Sequence, residues 1–260
     1  MNTGLEFSDE VTRRIEGVYK TRDVIAQRAE VLSALALRPG ESVLDIGSGP
    51  GFLSREMAAV VGPHGRVRGI DISESMVALA RSRCSDQSWV TIESGNAGRL
   101  PFPDAHFDAA VSTQVYEYVG DISGALSEVH RVLRPGGRIV ILDTDWDSMV
   151  WHTSDPARLG RILEAWDEHL ADPHLPRTLA TRLKQAGFRT EQCSVLTLLN
   201  TVYDPNTYSH GMIGLIADFV SGRGKVTTAE VNAWAEDLRT LGERGEYFFS
   251  LNRYLFLAGR

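Results

Sequence analysis

Three glycines at alternate positions, Gly47, Gly49 and Gly51, follow the strand-like run Val43-Leu44-Asp45-Ile46, and a helix-like pattern begins at Phe52-Leu53. Glycine at every second position lets the backbone turn sharply and lets a ligand lie against it with no Cβ in the way. A helix N-terminus just beyond offers free N–H groups and a positive dipole end to an anion. This is a nucleotide-type binding turn. A dinucleotide fingerprint spaces its glycines G-x-G-x-x-G; here the third comes one residue early and Phe52 takes its place. The Gly-Lys-Ser/Thr of a triphosphate loop is absent as well. Asp71 ends a second strand-like run, Val67-Arg68-Gly69-Ile70. A carboxylate there accepts from both hydroxyls of a ribose. The expected ligand carries a ribose and lacks a pyrophosphate.

Those residues need a scaffold. Residues 8–37 read as a helix, with Val24, Ile25, Arg28, Ala29, Leu32, Leu35 and Ala36 at helical spacing. Strand and helix patterns then alternate: strands at 43–47, 66–71, 88–93, 107–112 and 138–143, and helices at 52–60, from Ser73, and at 121–133. Ligands of such sheets bind beyond the strands' carboxyl ends, where Gly47, Gly49 and Gly51 fall. The last third reads differently. Helices are expected at 155–170 and 176–186, and strands at 188–201 and 246–258 form an antiparallel pair. Residues 202–245 make an insertion too long for an ordinary loop. It holds an apolar segment, 211–220, and a helix opened by the capping-box pair Thr227 and Glu230. The predicted fold is α/β: a Rossmann-like, doubly wound, seven-stranded, mostly parallel sheet with an antiparallel C-terminal edge strand and a helical lid insertion. One domain spans 1–260, divided into a helical cap (1–40), a cofactor-binding core (41–145), helices and strand six (146–201), the lid (202–245) and the last strand (246–260).

S-adenosylmethionine meets the ligand description, with its amino-acid end at the glycine turn and its ribose at Asp71. Four segments make the chain resemble the class I S-adenosylmethionine-dependent methyltransferases, most closely the ubiquinone/menaquinone-biosynthesis type of small-molecule enzyme. They are Val43–Gly51, Gly69–Ser73, Gly95–Ala97 with Leu100–Asp108, and Arg131–Gly137. The resemblance covers roughly residues 20–145. It implies that Asp45, Gly47 and Gly49 line the methionine portion. Asp71 holds the ribose, with Ile72 against the adenine, and Ser48, Gly51 and Met76 complete the expected cofactor-binding set. Asn96 and Ala97 meet the adenine edge, and Gln114 lies beside the methionine end. Asn96 stands where members often carry aspartate; its amide still offers an acceptor oxygen. Tyr19 and Arg28 cap the cofactor or serve structural roles.

Methyl transfer from a sulfonium asks chiefly for alignment and exclusion of water. A general base is needed only where the nucleophile arrives protonated. The residues expected around the acceptor are Tyr116, Glu117, Asp143, Asp145, Trp146, Trp151 and His152, with Tyr116 and His152 as catalytic candidates and a structural histidine as the other reading of His152. Tyr203, Tyr208, Met212, Ile213, Ile216 and Phe219 either wall the acceptor or pack on the core. Asp143-Thr144-Asp145-Trp146-Asp147 resembles a carboxylate ladder without the glycine and distal glutamate of a calcium loop, so no metal is expected. His169 and His174 lack metal-pair spacing, and Asp172-Pro173-His174 reads as a turn.

Net charge is −7 with no basic block, so nucleic acid is not an expected partner. Arg13-Arg14 and Arg81-Ser82-Arg83 read as solvated helix faces. No apolar run approaches the ~20 residues of a membrane span. Residues 1–10 are polar, unlike a signal peptide. A cytoplasmic monomer or homodimer is expected, with Cys84 and Cys193 as buried thiols. The reading is a methyltransferase acting on a small acceptor at oxygen, carbon or nitrogen. The alternatives are a macromolecular (RNA or protein) methyltransferase and a non-catalytic cofactor-binding subunit.

Overall fold

A computed structural model describes residues 9–260, with side chains from residue 13. Residues 1–8, part of the expected cap and the start of the expected first helix, lie outside the described residues. The predicted helix 8–37 is two helices, α1 (Asp9–Tyr19) and α2 (Arg22–Leu35). Thr21 causes the break: its N–H and its hydroxyl both turn back to the Val18 carbonyl, at 3.1 and 2.7 Å, and its own backbone is extended. The apolar period runs through the break, which hid it. Ala36 ends α2 in the left-handed region at φ 46°.

The alternating half follows as β1 (Ser42–Ile46), α3 (Phe52–Val61), β2 (Arg66–Asp71), α4 (Glu74–Arg83), β3 (Val90–Ser94), β4 (Phe107–Thr113), α5 (Ile122–Val132) and β5 (Leu133–Thr144). Short polar side chains open two of the helices. Ser73 accepts from the Met76 N–H and Asp121 from the Gly124 N–H. The strands are apolar on both faces because helices cover both sides; Val43, Leu44 and Ile46 are fully buried. Parallel pairing sets Asp45 beside Gly69 and Val111, and Asp71 beside Ser94. The carboxyl ends of β1 to β4 therefore finish side by side.

The last third adds β6 (Val150–Trp151), α6 (Pro156–Asp167), α7 (Pro176–Gln185), β7 (Arg189–Asn200), α8 (Tyr208–Val220), α9 (Thr228–Glu243) and β8 (Phe249–Gly259). β8 runs antiparallel between β5 and β7, and β7 is the outer strand. The sheet order is β3-β2-β1-β4-β5-β8, with β7 on one side of β8 and the two-residue β6 continuing the β5 side. β6 makes eight strands where seven were expected; two residues are too few to show a period.

The insertion forms α8 and α9, and Thr227 with Glu230 makes the expected capping box. Tyr208, Ile213, Ile216, Phe219, Val231 and Trp234 join Trp146, Trp151, Trp166 and Phe249 in one aromatic-rich core separate from those under the parallel sheet. α8 also packs on α1, where a Cβ at Gly211 would run into Val18. Cys84 is buried as expected, but Cys193 is exposed because β7 has no neighbour on its outer side. No helix among the described residues is long and apolar enough to cross a membrane.

Candidate cofactor and acceptor site

A cavity of about 850 Å³ opens above the carboxyl ends of β1, β2, β4 and β5, between the parallel sheet and the roof formed by α1, α2 and α8. Thirteen cofactor residues were expected, and the cavity is lined by all of them except Gly51. Gly51 instead sits at φ 79° against α4, where a Cβ would overlap Ala80. Gly47 and Gly49 are also left-handed, at φ 70° and 51°. A Cβ on Gly47 would collide with Val115, whereas one on Gly49 would point toward the Tyr19 hydroxyl, 3.8 Å away. The amides of the turn itself are engaged within the protein. Those of Gly47 and Ser48 donate to the Ile70 carbonyl, and that of Gly49 donates to Asp71 Oδ2 at 2.8 Å. What the glycines give this cavity is room.

Asp71 is a staple as well as a ribose candidate. Its Oδ1 accepts from the Ser73 N–H at 2.9 Å, so one carboxylate joins the end of β2 to the turn after β1. Burial pushes its pKa up against those amide bonds. Asp45, 1% exposed, has its pKa raised to about 7 by burial; a bond from the Ser54 hydroxyl opposes the rise and the nearby Asp71 adds to it. A buried carboxyl with one neutral partner is a place for a ligand's cation. The Ser48 hydroxyl beside it has no partner. These groups fit an amino-acid end and a ribose. Ile72, 72% exposed, and Met76 present an apolar surface. Asn96 lines the groove with Ala97, but its Oδ1 already accepts from the Gly98 N–H at 2.7 Å, leaving the amide nitrogen as its free polar atom. Gln114, in the left-handed region at φ 57°, accepts from the Thr144 hydroxyl at 2.6 Å.

The roof over this end is aromatic and cationic. Tyr19 stacks near Phe52 with ring centroids 6.3 Å apart. Burial pushes its hydroxyl up to about 12, so it stays a donor. Arg28 donates to Glu56 at 3.0 Å and to the Tyr19 carbonyl at 2.7 Å. Arg83 lies over Phe52, 3.6 Å from the ring centroid, and bonds Glu16 and the Pro50 carbonyl. It is therefore a packed residue and not the solvated one expected.

The lining also includes Glu117, Tyr118, Trp146, Trp166, His169, Tyr208, Met212, Leu215 and Arg253, with Arg253 and Tyr208 close enough to Tyr19 to act on its hydroxyl. Both expected catalytic residues are elsewhere. Tyr116 is fully buried beneath the strand, its hydroxyl without a partner and its pKa pushed up by burial. His152 is exposed and does not line the cavity; its N–H bonds the Phe248 carbonyl. Glu117, the neighbour of Tyr116, does face the cavity. Its Oε2 accepts from the Thr144 N–H at 3.1 Å and the Trp146 indole at 3.3 Å, while its Oε1 has no partner. Burial pushes the carboxyl up, and Asp143, fully buried beside it, is raised for the same reason and by the Glu117 charge. The Glu117 carbonyl takes the amides of Ala171 and Asp172 and so draws the segment after α6 over the cavity.

That segment carries His169, which lines the cavity although the spacing argument gave it no place there. Its ring lies 3.9 Å from that of Trp166, and Nδ1 bonds the Trp166 carbonyl. A carbonyl can only accept, so Nδ1 holds the hydrogen and Nε2 is left as an acceptor without a partner. Burial lowers its pKa to about 4, keeping it neutral. Of the six expected wall residues, Tyr208 and Met212 line the cavity; Ile213, Ile216 and Phe219 pack into the aromatic core, and Tyr203 packs against Tyr247. Asp143 and Trp151 are likewise internal. Asp145, Asp147 and His174 converge as a metal site would. Arg177 fills the convergence, bonding both Asp145 oxygens at 2.8 and 2.9 Å and Asp147 at 2.7 Å.

Residues 44–141 match a family model described as a methyltransferase domain. The demethylmenaquinone methyltransferase of Symbiobacterium thermophilum is 40% identical over 117 residues, 44% of this chain and 47% of that protein. The chain spans about half the length of the curated relatives it matches. A solved S-adenosylmethionine-dependent methyltransferase from Aquifex aeolicus shares the fold with a TM-score of 0.56 at 17% identity, over 96% of this chain and 99% of that one. Phosphoethanolamine N-methyltransferase 2 of Haemonchus contortus, solved with S-adenosylmethionine, gives 0.64 at 19% identity over 98% of this chain and 57% of that one.

Proposed function

We propose, on the premise that residues 44–141 belong to the methyltransferase-domain family and sit in a class I S-adenosylmethionine-dependent methyltransferase fold, that this protein methylates a small organic acceptor and releases S-adenosylhomocysteine. The observation that carries this reading is one cavity lined both by the glycine turn and by a group of aromatic side chains. Its size lies toward the upper end of the ~300–1,000 Å³ of small-molecule sites, room for a cofactor and an acceptor together.

When bound, the cofactor supplies a methyl group on a sulfonium with an excellent leaving group, so the protein's main tasks are alignment and exclusion of water. Asp45 takes the ammonium, Gly47 and Gly49 make room for the amino-acid chain, and Asp71 takes the ribose. Ile72, Met76 and Ala97 face the adenine. Tyr19 and Arg28 roof this end. Trp146, Trp166, Met212 and Leu215 keep water from the acceptor. Glu117 is the base for a protic nucleophile, since its Oε1 is unengaged and its raised pKa brings it toward the operating pH. His169 offers Nε2 as a second acceptor of the substrate's hydrogen.

Calorimetry with S-adenosylhomocysteine, followed by incubation with methyl-labelled S-adenosylmethionine and a metabolite panel, tests the reading. One-to-one binding and label in a small molecule are expected. Absence of binding would end it, and label appearing only in RNA or protein would replace the acceptor class.

A further inference from the structure

Arg253 is a buried cation facing the acceptor end. It lies on β8 opposite Thr144 of β5, 4% exposed, and lines the cavity. Its Nη1 donates to Gln27 Oε1. Its guanidinium carbon sits 4.5 Å from the centroid of the Tyr208 ring. Its Nε has no partner. Among the described residues no carboxylate forms an ion pair with it. Glu117 and Asp143 are close enough to feel its charge. Yet Glu117 Oε2 is taken by Thr144 and Trp146, and Asp143 Oδ1 by the Val115 N–H at 3.1 Å. Burial also drives both carboxyls toward their neutral forms.

An arginine cannot shed its proton, so its charge stays in this low-dielectric site. A buried charge without a counter-ion is costly, and an anionic ligand removes that cost. With Nη1 on Gln27, the Nε–Nη2 edge remains, and two parallel N–H groups on that edge match the two oxygens of a carboxylate. We infer that the acceptor carries a carboxylate, which Arg253 holds against Tyr208 while the apolar body lies among Trp146, Trp166, Met212 and Leu215. This rests on the reading that the aromatic end receives the acceptor. It also orients that molecule: its anionic end faces Arg253, and its protic end is left to Glu117.

The probes are benzoate, 3-phenylpropionate, indole-3-acetate and decanoate, each beside its primary amide, titrated into protein saturated with S-adenosylhomocysteine. At least one acid binds about tenfold tighter than its amide. Arg253→Met weakens that acid about tenfold, to the level of the amide. S-adenosylhomocysteine affinity changes less than about threefold. Arg253→Lys restores part of the loss because it returns a point charge without the fork. Gln27→Glu keeps the arginine but supplies a counter-ion, and reproduces the loss even if Arg253→Met does not fold. No acid preference in any of the four pairs overturns the inference. So does a loss of S-adenosylhomocysteine affinity, with acids unaffected, in Arg253→Met and Gln27→Glu, since the arginine would then serve the cofactor's own carboxylate. Tighter binding of phenyl phosphate than of benzoate overturns the carboxylate assignment. If the wild type fails to bind S-adenosylhomocysteine, the methyltransferase reading falls, and the acid–amide comparison on the free protein still decides the role of Arg253.

Discussion

Gly47, Gly49 and Asp71 reach the cavity from the ends of parallel strands, where backbone bonds to Ile70 and a carboxylate staple fix them. Trp146, Trp166, His169, Tyr208 and Met212 reach it from helices and turns that hold one another by ring contacts. At the first end the ligand surface is largely backbone and short side chains, and the sheet defines it. At the second it is long side chains, which can be exchanged without disturbing a single ladder bond. The difference separates a surface that the strand ends fix from one that side-chain substitution can reshape.

Four changes sharpen that contrast. The largest effect is expected in the aromatic half. Trp234→Ala removes a fully buried indole that meets Trp151 edge-on at 5.4 Å. It should cost about 3–5 kcal/mol in denaturant unfolding, yet leave S-adenosylhomocysteine affinity of the folded fraction within about twofold. Gly47→Ala does the reverse. Left-handed strain and overlap with Val115 cost about 2–4 kcal/mol, and cofactor binding by calorimetry should fall beyond detection. An intact affinity there would show that the turn does not form the cofactor surface.

The third change uses pH. Asp45, with a pKa of about 7, is mostly protonated below that value in the free protein. An ammonium beside it favours ionisation, so binding releases a proton in that range. Affinity for S-adenosylhomocysteine should rise toward tenfold per pH unit (~1.4 kcal/mol) between pH 5 and 7 and level off above. Asp45→Asn should flatten that profile. The stability sign is opposite: a carboxyl whose folded pKa is raised holds its proton longer folded than unfolded, so the free protein loses stability as pH rises from about 4 to about 7 through this group. Thermal melts across that window should fall less in Asp45→Asn. The smallest change is Thr227→Ala, which opens the capping box of α9. About 1 kcal/mol should be lost, or roughly 2–4 °C in melting temperature, with no change in cofactor affinity.

How far the sequence could be read follows the same division. Strands, helix caps and the glycine turn write themselves in local residue types, so β1 to β5, Ser73, Asp121 and Thr227 were legible, as were Asp71 and Gln114 at strand ends. The two-helix break at Thr21 was not, because the apolar period continues through it. Nor was the choice of cavity-lining residues beyond the fourth strand: Tyr116 and His152 were expected there, but a shift of one residue along the turn puts Glu117 in the cavity and leaves Tyr116 fully buried outside its lining. His169 and Arg253 lie 52 and 136 residues beyond Glu117. Their meeting depends on α6 turning back toward the Glu117 carbonyl and on β8 inserting beside β5, neither of which any local spacing records.

That late insertion has a bearing on how the molecule is made. β8 is the last strand in the chain, yet it fills the gap between β5 and β7. During synthesis the glycine turn and all five parallel strands leave the ribosome while the flank of β5 is still bare, an open edge able to recruit other chains. The 11-residue β8 closes the edge and delivers Arg253 in one step. Sheet completion and the Arg253 wall of the cavity thus arrive together, so a chain stalled before Phe249 has an unsealed flank and a cavity without its buried arginine.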